Sequence, residues 1–522
     1  MVEIVKKNSL YVILIAFLCL PAVFSLLRPG FFQSDDGEWM VIRFSAFHQA
    51  LRDGQFPVRL LARLNHGYGY PVANFLYPGF MYLSEPVHVL GFGFVDTIKI
   101  IFGLSMAGSA LFFFLFLSKF FDRLSSFIGA VFYLYTPYHL FDLYIRGSIG
   151  EVLALMIIPF ILWQTERRSI FWSTIGLAFL ILSHNTLALL FIGFFMLYVG
   201  LDLFIAKEKR KLVAYYLPVL LLGFGIASFF WVPAFFDLHY TVFSMTPIAN
   251  WKEYFSNIDN IGISTIFVLL LTIILFLGKK IRLSKHRLTA LMFVVGIISL
   301  FFATSFSFIL WNILPVSFIQ FPFRLLSITL ITTSFLVACI TSLLTKRVRI
   351  VVSSFMLILL FLSSWSLLTP SQVFDKGESF YATNEASTTI ANEYMPKWVK
   401  ELPTEHPSNK VDMETGNGTI TNLSYNAKKI TFRVDTDTSS VVRVNAIYFP
   451  GFRAFINGGE STINYNNRKG LMHINLTKGS NNVKVEFEET SLHLAADIMS
   501  LLSLFFLLYL IRKQNIWRGR KS

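Results

Sequence analysis

Long apolar stretches, separated by short polar or basic segments, recur along most of the chain. Many contain about 20 residues, the length that a helix needs to cross a hydrocarbon core of about 30 Å. The stretch 72–94 is not counted as a span, because Pro78 and Pro86 interrupt it. The spans at 124–138 and 170–183 are short, so each could be a tilted or half-spanning helix. Twelve spans are predicted in all, at residues 10–27, 98–118, 124–138, 149–164, 170–183, 186–205, 212–232, 260–278, 288–306, 323–345, 349–368 and 491–511.

The pattern changes at residue 370. Between 370 and 490 apolar and polar positions alternate in short runs such as KITFRV and NNVKVEFEE, and Gly- and Asn-rich segments separate these runs. Such alternation is typical of strands with one buried face. We therefore predict an extracytoplasmic β-sandwich-like module of about seven strands at 370–490. It follows a transmembrane domain at 1–369, whose first external loop is 28–97, and precedes a last span with a basic tail at 491–522.

Composition supports a polytopic α-helical membrane protein. Hydrophobic residues make up 54% of the 522 residues and charged residues 15%, against about 25% charged in soluble domains. Cys19 and Cys339 both lie in apolar stretches, which excludes a disulfide framework, a Cys-ligated zinc site and a Cys-based redox motif. We interpret residues 10–27 as a retained anchor rather than a signal peptide, since no small-residue cleavage site follows them.

The net charge of +14 is distributed unevenly. If both termini are cytoplasmic, seven basic clusters fall on the cytoplasmic side with a net charge of +19, and the rest of the chain carries −5. Lys and Arg in cytoplasmic loops are an orientation signal, so the charge predicts topology in the cell membrane and argues against a nucleic-acid partner. The clusters are Lys6-Lys7, Lys119 with Arg123, Arg167-Arg168, Lys207 to Lys211, Lys279 to Arg287, Lys346 to Arg349 and Arg512 to Lys521.

An acidic group follows the first span on the predicted extracytoplasmic side. Asp35, Asp36 and Glu38 lie within the segment SDDGE. Three carboxylates this close repel one another, so at least one pKa is predicted to lie above its usual value. Such a carboxylate suits a general base. The alternative is that Asp35 or Asp36 only caps the helix that follows.

Other polar residues on this side are candidates for substrate contacts. In NHGYGYP (65–71) the glycines allow a close backbone approach. Tyr68 and Tyr70 either stack on a sugar or belong to an interfacial aromatic belt. His184 interrupts an apolar run and is either a hydrogen-bonded turn residue or a substrate ligand.

The arginines of the same side allow two interpretations. Arg324, at the outer end of the tenth span, either snorkels to the interface or binds a lipid phosphate through its forked guanidinium. Arg146 allows the same two interpretations, and Glu151 is close enough in sequence to pair with it. Asp497 in the last span has no partner visible in the sequence.

An ordered set of motifs resembles the YfhO-like family of bacterial membrane proteins and the related membrane domain named after pyruvoyl-tetrahydropterin synthase. The family often has a histidine a few residues after the acid, where this chain has Met40, so no role of that histidine is carried over. Segments 393–398 and 448–458 are also similar. The motifs lie at Asp36, Gly54–Arg59, Gly67–Pro71, Tyr144–Trp163, Leu182–Asn185 and Ile319–Leu326.

The resemblance implies a GT-C-type glycosyltransferase that takes a sugar from a polyprenyl-phosphate carrier and transfers it outside the cell. The acceptor would be an envelope polymer such as teichoic acid or polysaccharide, a glycolipid or a protein. A separate cytoplasmic-side enzyme would charge the carrier, and membrane lipid would surround the spans. In that superfamily an acid of the first external loop is the base, which here is Asp36 or Asp35.

The mechanistic hypothesis follows from these residues. Asp36 deprotonates the acceptor hydroxyl, Asp35 or Glu38 raises its basicity, and attack at the anomeric carbon inverts it. The candidate phosphate-binding residues are Arg324, Arg146 and Arg59, and the candidate substrate-binding residues are Tyr68, Tyr70, Glu151 and His184. Whether a divalent cation takes part stays open. The rival hypotheses are a flippase for lipid-linked sugars and a non-catalytic assembly protein whose β-module binds wall polymer.

Overall fold

The chain folds into a helical bundle and a β-module in a computed structural model that describes residues 8–246, 251–282, 286–314 and 317–519. Lys6-Lys7 and the end of the basic tail at Lys521 lie outside the described residues. The helices of ten or more residues are α1 Ser9–Val23, α2 Gly37–Arg52, α3 Gly79–Val89, α4 Phe94–Leu117, α5 Arg123–Tyr135, α6 Ile149–Glu166, α7 Ile170–Ser183, α8 Asn185–Ile205, α9 Lys209–Ile226, α10 Ser228–Asp237, α11 Ile263–Leu277, α12 Arg287–Ala303, α13 Leu326–Leu343, α14 Lys346–Ser364 and α15 Ser491–Gly519.

Shorter helical segments connect these helices. The short α-helices are Pro137–Leu140, Ile258–Ile261, Phe308–Ile313 and Gly377–Thr383. The 3-10 turns are Phe24–Leu27, Pro71–Asn74, Leu238–Tyr240, Phe243–Met245, Trp251–Tyr254, Ser305–Ser307, Ser317–Ile319, Pro322–Leu325 and Trp365–Leu367. A π-helical turn at Phe141–Arg146 directly precedes α6, and such turns are frequent at functional sites.

Among the described residues, seven helices are long and apolar enough to cross a membrane, or nine if each of two bent pairs counts as one span. One pair, α9 with α10, bends by 63° and the other, α12 with the segment after it, by 80°. Each predicted span contains a helix, but α5, α7 and α11 are short, so the number twelve stays a prediction. In the stretch 72–94, α3 has 11 residues and a length of about 16 Å at 1.5 Å per residue.

The segment 370–490 forms the predicted antiparallel β-sandwich, with eight strands in two sheets where about seven strands were predicted. One sheet has the order β4-β5-β10-β7-β8 and the other β3-β6-β9. Along β5 the apolar side chains alternate with exposed ones, and the buried ones pack against the second sheet. The strands are β1 Phe31–Phe32, β2 Val373–Phe374, β3 Val411–Thr415, β4 Gly418–Tyr425, β5 Lys429–Thr436, β6 Ser440–Ile447, β7 Phe452–Ile456, β8 Gly459–Ser461, β9 Leu471–Leu476 and β10 Gly479–Phe487.

The β-module is joined to the segment 28–97 at several points. The short strands β1 and β2 pair antiparallel, with Phe31 opposite Phe374. The carbonyl of Tyr68 accepts a hydrogen bond from the backbone N–H of Ile447, in β6. Gly67 has a φ of +78°, and a Cβ there would lie 2.7 Å from the ring of His406. The glycine-rich turn therefore permits the close approach that its sequence predicted.

Candidate active site

The acidic loop before α2 is held against the π-helical turn before α6. The backbone N–H of Asp35 donates to the carbonyl of Ile145, and that of Asp36 donates to the carbonyl of Arg146, both at 2.9 Å. Gly147 follows with a φ of +61°, the left-handed region that glycine adopts without strain. Two segments 110 residues apart thus present their side chains to one another.

Arg146 binds both aspartates of this loop. Its Nη1 lies 3.2 Å from Asp35 and its Nη2 lies 2.9 Å from Asp36. Asp36 precedes α2 but makes no side-chain capping bond, so the capping alternative is not what this carboxylate does. The Asp35 side chain is 55% exposed, that of Asp36 is 24% exposed and that of Arg146 is 8% exposed.

Partial burial raises the pKa of Asp35, the Arg146 guanidinium opposes that rise, and the neighbouring Asp36 charge adds to it. The predicted direction is thus found at Asp35, but burial rather than repulsion between the carboxylates is its first cause.

A second ion pair lies beside the first and is fully buried. Glu151, in the first turn of α6, accepts a hydrogen bond from Arg324 Nε at 3.0 Å and another from the Tyr138 hydroxyl at 3.2 Å. Its Oε1 lies 3.5 Å from Nε2 of His184. The structure therefore pairs Glu151 with Arg324 instead of Arg146, because the side chain of Arg146 extends toward the acidic loop.

An aromatic ring connects the two arginines. The Phe321 centroid lies 5.2 Å from the guanidinium carbon of Arg146 and 4.8 Å from that of Arg324, within the range of cation–π contacts. Arg324 also donates through Nη1 to Gln320 Oε1 at 2.6 Å. Its side chain is 7% exposed, so it does not snorkel to an interface.

Asp142 is a member of this site that the sequence analysis did not single out. Its side chain is fully buried, and neither carboxylate oxygen has a hydrogen-bonding partner among the residues that the structure describes. Burial raises its pKa well above the usual value, with the negative charge of Glu151 as a further cause. Asp142 lies four residues before Arg146, just outside the motif Tyr144–Trp163, so a charge this close to the motif was the available signal.

Arg59 lies in another cluster, so it is a correction to the predicted phosphate-binding set. Its Nε lies 2.7 Å from Glu489 and its Nη2 lies 3.1 Å from Asp497. The same guanidinium donates to the carbonyl of Phe229 at 3.0 Å. With its side chain 3% exposed, Arg59 is committed to these partners. Asp497, which had no partner in the sequence, therefore pairs with Arg59.

Three further candidates have structural partners away from the acidic loop. Glu38 pairs with Lys376 at 2.7 Å, on the side of the β-module, and does not contact Asp36. The Tyr70 hydroxyl is bonded to Thr389 at 2.9 Å, and its ring is buried. Tyr68 is 8% exposed. Neither tyrosine presents a ring face on which a sugar could stack.

His184 directly precedes α8, where it both caps the helix and packs within the site. Its Nδ1 accepts a hydrogen bond from the backbone N–H of Leu187 at 3.2 Å, so it caps that helix. The ring also packs on Tyr77, with centroids 4.7 Å apart.

Within the described ranges no group of three or more His, Cys, Asp or Glu residues could hold a metal ion. Asp35 and Asp36 bind the guanidinium of Arg146.

Gly147 provides a test of how the acidic loop is held. An added Cβ would clash with the Ser34 hydroxyl and lie 2.8 Å from the backbone nitrogen of Gly37. Gly147→Ala is expected to destabilise the protein by about 1–3 kcal/mol, since a non-glycine residue is strained at this φ. Thermal unfolding of the purified protein measures the effect. Gly193→Ala is the matched control, because nothing lies within 4 Å of its added Cβ; equal unfolding temperatures for the two variants would contradict the prediction.

A family profile described as 6-pyruvoyl-tetrahydropterin synthase related domain, membrane protein, matches residues 77–371, more than half of the chain. None of the curated proteins matches the chain in sequence.

Two similar solved structures are both of the arabinofuranosyltransferase AftD from mycobacteria, the second of them a mutant form. The first is 17% identical with a TM-score of 0.49, and covers 71% of this chain and 28% of that chain. The second is 16% identical with a TM-score of 0.48, and covers 70% and 29%. This chain spans less than a third of their length.

Proposed function

The chain belongs to the 6-pyruvoyl-tetrahydropterin synthase related family of membrane proteins, and we propose that it is a glycosyltransferase of the cell membrane. It would transfer a sugar from a polyprenyl-phosphate donor to an envelope polymer, lipid or protein on the extracytoplasmic face. The observation that carries the proposal is one site in which exposed carboxylates, a guanidinium and a buried ion pair adjoin the ends of apolar helices. The GT-C likeness of its motifs supports the same activity.

Asp36 is the proposed general base. Its Oδ2 accepts from Arg146, whereas its Oδ1 makes no hydrogen bond to a described residue. The acceptor hydroxyl gives its proton to this carboxylate as its oxygen bonds to the anomeric carbon. The bond from that carbon to the phosphate oxygen breaks, and its electron pair leaves with polyprenyl phosphate. A single displacement of this kind inverts the anomeric carbon.

Arg146 and Arg324 are the proposed phosphate-binding residues. Nε of Arg146 is buried without a partner in the described part of the chain. Arg324 uses Nε and Nη1 for its protein contacts, and Nη2 donates to no described residue. Both guanidiniums flank Phe321. Donors held in advance at the departing phosphate stabilise the charge that develops there. Glu151 and His184 position Arg324 rather than contact the sugar.

The site would face the extracytoplasmic side, with both termini in the cytoplasm. This orientation places the basic clusters in the cytoplasm, and the acidic loop lies at the opposite end of α1 from Lys6-Lys7. A lipid-linked donor is the form in which an activated sugar reaches that side, so a separate cytoplasmic enzyme must load the carrier.

Purified protein in liposomes tests the proposal. We expect it to consume one member of a panel of radiolabelled polyprenyl-phosphate hexoses and pentoses, to release polyprenyl phosphate and to label an added envelope-polymer fraction. A flippase would move the donor across the bilayer intact, and an assembly protein would do neither. Either of these two results, with folded protein, would reject the transferase.

A further inference from the structure

A cluster of aromatic rings lies where the β-module meets the external ends of the helices. Tyr448 and Tyr465 stack in parallel, with centroids 4.1 Å apart and an angle of 5° between the rings. Trp398 is tilted against both, at 5.9 Å from Tyr448 and 5.2 Å from Tyr465. We name these three rings the aromatic corner. They come from three separate segments of the chain, so the fold assembles the corner.

The aromatic corner is held rigidly. The indole Nε1 of Trp398 donates to the carbonyl of Tyr448 at 3.1 Å. Gly470 has a φ of +65°, and a Cβ there would lie 2.9 Å from the indole. The backbone N–H groups of Lys400 and Glu401 donate to the carbonyl of Arg468 at 2.7 and 3.0 Å. Rings fixed in advance lose little conformational entropy when a ligand binds.

The rings remain partly exposed, and polar groups surround them. All three side chains are intermediate in exposure, so part of each ring is accessible to a ligand. The hydroxyls of Tyr448 and Tyr465 donate no hydrogen bond to a described residue. At the edge, Arg468 and Lys469 both face Glu401, at 3.4 and 3.7 Å. This edge therefore carries two cations and one carboxylate, a net charge of +1.

A series of ring contacts leads from the aromatic corner to the candidate active site. Phe75 lies two residues before Tyr77, whose ring packs on His184. The rings in contact, in order, are Phe75, Phe449, Tyr240 and Trp398, at centroid distances of 6.2, 6.4 and 6.2 Å. Phe75 and Phe449 are buried, so the corner and the candidate active site are joined through the packed interior.

We propose that the aromatic corner binds neutral sugar units of a glycan acceptor. Flat, rigid rings offer apolar faces to the C–H groups of a sugar, and tyrosine hydroxyls offer hydrogen bonds. The role as an acceptor site rests on the proposed transferase function, but glycan binding itself does not require catalysis.

Binding of labelled oligosaccharides to the full chain in lipid nanodiscs tests the inference. The probes are maltohexaose, chitohexaose and arabinohexaose, each fluorescently labelled, and fluorescence anisotropy is the measurement. We expect at least one of them to bind. Tyr465→Ala is expected to weaken that binding by about tenfold, the factor that corresponds to about 1.4 kcal/mol for lost ring contacts. Tyr465→Phe keeps the ring and is expected to change the affinity by less than about threefold.

Tyr425→Ala is the matched control, because Tyr425 is a tyrosine of the same module that is 56% exposed and lies outside the corner. It is expected to bind like the unchanged protein. Absence of binding by all three probes, tighter binding of a polyglycerol-phosphate probe than of any of them, or unchanged affinity in a folded Tyr465→Ala protein would overturn the inference.

The outcome also separates this inference from the proposed function. Glycan binding that depends on Tyr465, in a protein that transfers no sugar from any donor, would retain the corner and reject the transferase. Sugar transfer that Tyr465→Ala leaves unchanged, together with unchanged glycan affinity, would reject only the corner.

Discussion

Asp36→Asn is expected to lower the rate of sugar transfer by about 10²–10⁴-fold, the range that general-base catalysis contributes. The amide keeps the size of the carboxylate and can still accept from Arg146, but it cannot take the proton of the acceptor hydroxyl. The measurement is the release of polyprenyl phosphate by purified protein in liposomes. The variant is expected to reach the membrane in normal amounts, since Asp36 is partly exposed and makes no capping bond.

Asp35→Asn is the matched control for that variant. Asp35 lies beside Asp36 and binds the same guanidinium, but its side chain is more than half exposed. We expect a reduction of less than about tenfold, because the residue acts on Asp36 only through its charge. A rate in Asp36→Asn close to that of the unchanged protein would remove Asp36 from the mechanism. A larger loss in Asp35→Asn would assign the base to Asp35.

The helices and the β-module were predictable because hydrophobic periodicity is a local property. Uninterrupted apolar runs gave helices at every predicted span, and alternation within residues such as Lys429–Thr436 gave strands. The number of strands was harder to predict, because a strand as short as β8, with three residues, leaves little alternation to recognise. The bends within the predicted spans 212–232 and 288–306 were not predicted, because hydropathy shows that a segment is apolar but not whether its helix axis changes direction.

The candidate site was predictable in its residues but not in its pairing. Asp36, Arg146 and Arg324 each stand out as charges beside apolar runs. Their partners depend on tertiary contacts: Glu151 is only five residues from Arg146 yet binds Arg324, which is 173 residues away. In the sequence Arg59 was an equally good candidate for phosphate binding. In the structure it pairs with Glu489, 430 residues later. A buried acid such as Asp142 is informative only once its environment is known.

The ion pair of Glu151 and Arg324 carries the largest expected effect on stability. Both side chains are buried, so removal of one partner leaves an uncompensated charge in an apolar environment. Glu151→Gln or Arg324→Gln alone is expected to lower the free energy of unfolding by about 3–5 kcal/mol. The pair Glu151→Leu with Arg324→Met, which removes both charges, is expected to recover most of that loss. Thermal unfolding of the purified proteins in detergent gives the comparison.

The rate of sugar transfer by the same variants distinguishes the effect of this ion pair on stability from its effect on use of the lipid donor. The double variant is expected to be stable but to use the lipid donor poorly, because it lacks one of the two guanidiniums proposed to bind the phosphate. Glu208→Gln is the control, since the pair of Glu208 with Lys211 is exposed and such pairs contribute little. A double variant as unstable as the single ones would show that the loss of stability comes from changed side-chain volume and shape rather than from an uncompensated charge. Normal donor affinity in a stable double variant would remove Arg324 from phosphate binding and leave Arg146 as the residue that meets the departing charge.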